Sequence, residues 1–167
     1  MDIKYGCKWD VRHWRKGKVI WEIVEKSNIL VDEGEKSIVD TFFRNNGATY
    51  FVATNFWIGL YKGSVAETTV LSTIPGEPAV ANGYVRQVIE RTNIGFPTIE
   101  QNDGDWRVVS KEIEIVASGG NIGPVSGAFL GTSLDNTGTL IGSLAFGVER
   151  TVLPGDTMTL QFRAKLS

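Results

Sequence analysis

The side chains able to do chemistry are few, and they are scattered. One histidine, His13, and one cysteine, Cys7, occur in 167 residues. Any triad, thiol nucleophile or imidazole metal cluster would have to centre on them, and their spacing matches no zinc or thiol-protease pattern. His13 reads instead as a strand residue on a packing or wet face. Asp103 and Asp105 flank Gly104, and Asp135-Asn136-Thr137-Gly138 is a second acidic turn. Either could ligate Ca²⁺ through oxygen, but the full loop of alternating Asp/Asn ligands with a distal Glu is missing. Asp, Asn and Gly are also what turns use in any case. Glu112 and Glu114 share a strand face beside Ile113 and Ile115, the pattern of a solvated face rather than a glycosidase pair. Gly123-Pro124-Val125-Ser126-Gly127 imitates part of a serine elbow in the wrong order, with no usable histidine. Neither a phosphate-binding loop nor a dinucleotide fingerprint occurs. The chain reads as a non-enzyme, with no catalytic residue, metal or cofactor expected.

One concentration of side chains remains, of the kind used for binding. Arg12, Arg15, Lys16 and Lys18 cluster beside Trp14, and Trp9 and Trp21 lie close by on either side. Basic and aromatic residues together can hold single-stranded nucleic acid. The formal charge of −2 argues instead for a solvated hairpin tip or contact with an acidic protein. The candidate partner interface is therefore Trp9, Arg12, Trp14, Arg15, Lys16 and Trp21, with no nucleic acid expected.

These residues need a scaffold, and the pattern supplies strands. Residues 8–14 and 18–24 are β-prone runs flanking Arg15-Lys16-Gly17, where Gly17 can supply the positive φ of a short hairpin turn. Trp9, Val11 and His13 share one face of the first run, and Val19, Trp21 and Ile23 one face of the second. An isolated hairpin is marginal in water, so this one must pack on its own domain or on a neighbour. A helix is expected over 33–45. Asp32 and Glu35 have capping-box spacing, Glu33 and Glu35 suit its first turn, Ile38, Val39, Phe42 and Phe43 form its stripe, Arg44 sits in its last turn and Gly47 stops it.

From Thr49 the period is two. Residues 56–61 are apolar on both faces, as in a central strand. Residues 65–82 read as a long loop, 83–91 as strand and 93–104 as a connection. Residues 106–117 read as one long strand with a bulge near Ser110-Lys111 reconciling its parity. Residues 125–130 make a short strand. Leu140, Gly142, Leu144, Phe146 and Val148 alternate with smaller residues. Met158, Leu160, Phe162, Ala164 and Leu166 alternate without a break after the Leu153-Pro154-Gly155-Asp156 turn.

The expected fold is mostly β: an antiparallel β-sandwich or jelly-roll-like body, residues 31–167, carrying one helix, with residues 1–30 as a hairpin arm. Nineteen glycines against five prolines, spread through Val/Ile/Thr-rich segments, fit a protein of many tight turns. The lone cysteine precludes an intrachain disulfide and fits a reducing compartment. No apolar run approaches the ~20 residues that span a bilayer, and the N-terminus lacks the apolar stretch of a signal peptide.

Three segments resemble small structural proteins of tailed bacteriophages. Residues 9–22 look like a charged-turn, G-x-V-I-W hairpin. Asn28-Ile29-Leu30-Val31-Asp32-Glu33-Gly34 and the Ile38–Phe43 helix look like the segment that follows it. Trp57-Ile58-Gly59-Leu60-Tyr61, Gly127–Ser133 and the Leu153–Asp156 turn look like the β body. The resemblance implies a virion protein assembled in a host cytoplasm. Its implied station is capsid decoration or cement, binding major capsid protein or other virion subunits as a homo-oligomer, with a trimer favoured. The same motifs fit a neck or tail station. The rival is a carbohydrate-binding or adhesin module presenting Trp57, Tyr61 or Tyr84 on an exposed face. The tryptophans of the hairpin either touch a neighbouring subunit or close the domain's own core.

Overall fold

Alternation of apolar and polar residues builds two antiparallel sheets. The computed structural model describes residues 5–43, 54–102 and 104–166. The first sheet holds β1 (Tyr5–Arg15), β2 (Lys18–Ser27), β6 (Thr98–Asn102), β7 (Asp105–Val109), β8 (Ile113–Val116) and β11 (Thr157–Leu166), in the order β2-β1-β11-β7-β6 with β8 also pairing β11. The second holds β3 (Ile29–Leu30), β4 (Asn55–Tyr61), β5 (Gln87–Glu90), β9 (Ile122–Gly131) and β10 (Leu140–Val152), in the order β3-β10-β9-β4-β5. One helix, α1 (Asp32–Phe43), follows β3. Among the described residues the protein is a mostly β, sandwich-like fold with one α-helix, as its sequence pattern predicts.

The main core lies between the sheets. Trp9 and Val11 from β1, Ile113 and Ile115 from β8, and Met158, Leu160 and Phe162 from β11 meet Ile58 and Leu60 from β4, Ala128 and Leu130 from β9, and Leu144 from β10. A smaller core, with Val31, Tyr61, Leu71, Ile74, Phe129 and Leu140, covers the outside of the second sheet. Ile58 and Leu60 thus serve one core while Tyr61 serves the other, which is why β4 is apolar on both faces. Gly59 completes that strand. A Cβ there would stand 2.4 Å from the Phe129 ring, so only glycine lets the ring lie across it.

The hairpin is not an arm. β1 is an inner strand, paired with β11 from Tyr5↔Leu166 to Trp14↔Thr157. Residues 1–30 and 31–167 therefore share the same core wherever the chain is described. The turn is Lys16-Gly17, both at positive φ (49° and 74°), the two-residue geometry that matches strand twist. Ile20 is an extra residue in β2: Trp14 faces Val19 while His13 faces Trp21. This bulge moves Val19 off the Trp21–Ile23 face and onto that of Trp14.

Other expectations shift by a strand or a residue. Helix α1 starts at Asp32, because the Glu35 amide donates to the Val31 carbonyl at 2.9 Å. Glu33 accepts from the Leu140 and Leu71 amides (2.7 and 3.2 Å), so it ties the helix to β10 and the loop instead of only complementing the dipole. The Phe42 and Phe43 side chains, and Arg44 and Gly47, lie outside the described residues. The connection 93–104 contains a strand, β6, whose polar sequence reflects an edge position with Ile99 71% exposed. The long strand 106–117 divides into β7 and β8, both paired with β11, and the register moves by one residue between Val109↔Arg163 and Ile113↔Leu160, as the expected bulge requires. There the Ser110 amide donates to the Phe162 carbonyl and its hydroxyl accepts from the Phe162 amide, both at 2.9 Å. Trp106, paired with Leu166 at the end of β11 and next to the edge strand β6, is 58% exposed. Val148 falls within an irregular stretch of β10 where Gly147 has φ 82°, and it points outward.

Cys7 is buried in the main core, and burial pushes its thiol up to about 12. Thiolate is the reactive form, so a disulfide reagent at pH 8 is expected to label native protein at least about a hundredfold more slowly than protein unfolded in denaturant. Equal rates in the two states would show that this end of β1 opens readily.

Candidate functional site

The candidate interface residues divide between the two faces of β1. Alternation sends Trp9, Val11 and His13 inward and Arg12 and Trp14 outward. Trp9 is fully buried, its ring edge-on to Phe162 with centroids 5.2 Å apart. Its indole N–H donates to Asn28 at 3.2 Å when that amide is oriented to satisfy its neighbours. Trp21 packs edge-on against Phe146 at 5.3 Å, and the Arg150 guanidinium lies 4.3 Å from its ring centroid. Trp9 closes the domain's own core, and Trp21 packs partly buried against it.

Arg15 is also committed. Its guanidinium donates to Asp156 at 2.7–3.1 Å, and His13 Nε2 lies 3.0 Å from the same carboxylate. The Leu153 amide donates to Asp156 at 3.2 Å. The hydrogen bonds from Arg15, with those from His13 and Leu153 and against the cost of burial, hold the Asp156 carboxyl well below the usual carboxylate range. An ionised Asp156 can only accept, so Nε2 of His13 carries the proton. His13 Nδ1 is buried without a partner. The only histidine thus pins the β10–β11 turn to the hairpin and presents no nitrogen to solvent.

Arg12, Trp14 and Lys16 remain, and the outer face of the first sheet brings them together. Strand pairing sets Val19, Trp14, Thr157 and Val116 in one row and Glu22, Arg12, Thr159 and Glu114 in the next. Val19 and Val116 are 39% and 45% exposed. The Trp14 indole N–H donates to the Thr159 hydroxyl at 3.3 Å, which fixes the ring. Arg12 reaches Glu22 and Glu112, both at 3.4 Å. A shallow depression of about 290 Å³ lies against Trp14, bounded by Lys16, Glu112, Glu114, Thr157 and Thr159. One fixed indole in a row with two valines, beside charged side chains on paired strands, is a composition that contact surfaces use. Sequence reading marked Trp14, Arg12 and Lys16 but missed Val116 and Glu114, because β8 reaches this face only through its pairing with β11.

The remaining chemical candidates are tied up in the fold. Tyr61 and Tyr84 are 1% and 3% exposed and Trp57 is half-buried, so the flat aromatic face expected of them is not formed. The Tyr84 hydroxyl donates to Glu77 at 2.5 Å, and burial first of all raises its pKa. In the Asp135 turn the carboxylate accepts from the Thr137 amide and hydroxyl (2.9 and 2.6 Å). The turn's other oxygens face a resident cation: Arg86 donates to the Ser133 carbonyl at 3.0 Å, to the Asp135 carbonyl, to Asn136 Oδ1 and to Glu77. The Arg86 guanidinium thus sits among the carbonyl and amide oxygens of this turn. Asp103 lies outside the described residues, and Asp105 pairs with Lys165 at 2.7 Å. Among the described residues, no group of three His, Cys, Asp or Glu converges as a metal site would require, and no helix is long and apolar enough to cross a membrane.

The chain matches no protein-family model, no curated protein and no solved structure.

Proposed function

We propose that the protein is a non-enzymatic structural subunit of a virion, a capsid decoration or cement protein that docks on major capsid subunits through the outer face of its first sheet. The observation that carries the docking reading is the Trp14 row: a fixed, partly exposed indole between Val19 and Val116, with Arg12 and Lys16 alongside. Large rigid aromatics and arginines dominate binding energy when partners meet. The sandwich supports this role, since a face built on paired strands loses little entropy on docking. The virion assignment rests on the phage-like hairpin, N-x-L-V-x-x-G and turn segments. Decoration at a capsid three-fold would use the chain as a trimer.

Particles purified from an infection in which the gene carries Trp14→Ala test this. The wild-type chain is expected to sediment with particles, and the variant to remain soluble and folded, with retention at least tenfold lower, roughly the loss of an interface hot spot. Full retention of Trp14→Ala would remove the Trp14 face as the docking surface. Absence of the wild-type chain from particles would remove the virion reading. Light scattering of purified protein reads the oligomer directly.

A further inference from the structure

We propose that the depression beside Trp14 is an arginine socket, receiving a guanidinium from the docking partner, stacked on the indole and hydrogen-bonded by Glu114. This inference rests on the docking reading and adds the chemistry of what docks. Glu114 carries the argument. On the first sheet Asp10, Glu22, Glu25, Glu100 and Asp105 each hold a Lys or Arg within 3.4 Å. Glu112 shares Arg12 at that same long distance. Glu114 has no cation among the described residues, although it lies across β11 from Arg12, opposite Thr159. Glu22, Glu112 and Glu114 against Arg12 and Lys16 leave one negative charge in excess around the depression, and Glu114 is the carboxylate without a cation among the described residues.

The aromatic wall fits the same occupant. Trp14 is held by Thr159, and among the described residues no cation lies over its ring. The opposite side of the same hairpin shows the completed arrangement, with the Arg150 guanidinium 4.3 Å from the Trp21 centroid. An open depression of about 290 Å³ suits the end of one long side chain better than an enclosed small molecule. Guanidinium is the cation of choice, because its planar face stacks while its edge donates in a fork to carboxylate. Lysine would keep the charge and lose both geometries.

The test uses the full chain, ¹⁵N-labelled, with the Trp14 indole resonance assigned by Trp14→Phe. The probes are the blocked tripeptide Gly-Arg-Gly, its citrulline counterpart, which keeps the shape without the charge, and methyl β-glucoside. Gly-Arg-Gly is expected to shift the Trp14 resonance saturably, and about tenfold more weakly with citrulline or in Glu114→Gln. Equal shifts with the citrulline peptide, or shifts with the glucoside alone, would overturn the socket. Particle retention separates the two readings. If Trp14→Ala is lost from particles but Glu114→Gln is fully retained, docking stands and the socket falls. If both are retained, both fall. Reduced retention of Glu114→Gln beside loss of Trp14→Ala supports both.

Discussion

Replacing Arg86 by alanine is expected to destabilise the protein by about 3–5 kcal/mol, the cost of leaving a buried partner charge uncompensated. Arg86 is 6% exposed, and its guanidinium is shared among four groups: Glu77, the Ser133 and Asp135 carbonyls and Asn136. It also lies 5.0 Å from the Phe129 ring centroid, above the outer core. Its loss strands Glu77 beside the buried Tyr84 hydroxyl and frees the 133–138 turn from the segment leading into β5. For a domain of this size the melting temperature should fall by roughly 8–15 °C. Arg86→Lys is expected to recover little, since one ammonium cannot occupy a forked cage. Pairing Arg86→Met with Glu77→Gln should recover a substantial part, because it removes both charges together. A double variant no more stable than Arg86→Ala would mean that lost hydrogen bonds to the turn, not the buried charge, set the cost. Thermal unfolding followed by circular dichroism reads all of these.

That cage had no signature in the sequence. Arg86 lies 47 to 50 positions from Ser133, Asp135 and Asn136, and only the folded topology makes them neighbours. The Asp135 turn was legible as a turn, but the identity of its cation was not. The opposite holds for β11, where five apolar residues alternate over ten positions and Met158, Leu160 and Phe162 are buried as the period requires. The hairpin turn was legible at Gly17, while the Ile20 bulge was not. A single extra residue leaves composition unchanged yet transfers Val19 to the face of Trp14. β6 escaped because an exposed edge strand lacks the apolar period that marks strands. The binding face was half legible for a related reason. Alternation along β1 could separate Trp9 from Trp14, but which of the two faced solvent depended on β11 pairing beside it and on the second sheet covering the inner side.

Asp156 should give the second large effect, with a distinctive pH dependence. Asp156→Ala is expected to cost about 3 kcal/mol, since it leaves His13 and the Leu153 amide without their acceptor inside the fold. Asp156→Asn keeps the shape and removes the charge, so it isolates the electrostatic part. The folded-state pKa of Asp156 is depressed below that of the unfolded chain, mainly through the Arg15 hydrogen bonds. A depressed carboxylate contributes stability that is fully present above its unfolded pKa, about 4, and is lost as pH falls toward the folded value. The difference in stability between wild type and Asp156→Asn should therefore be flat above about pH 4 and shrink at lower pH, as the wild type takes up the proton. Urea unfolding at steps from pH 6 to pH 2 measures it. A difference that stays constant through the acid range would show that Asp156 acts as a neutral hydrogen-bond acceptor. Arg15→Gln supplies the complementary readout. Arg15 lies 40% exposed at the rim, so its loss should narrow the acid-dependent part while leaving the His13 and Leu153 hydrogen bonds in place. The same substitution should leave the Trp14 face intact, because Arg15 turns to the inner side of β1 while Arg12 and Trp14 turn outward. Retention in particles at the wild-type level by Arg15→Gln, beside loss by Trp14→Ala, would separate the residue that fastens the hairpin from the one that meets the partner.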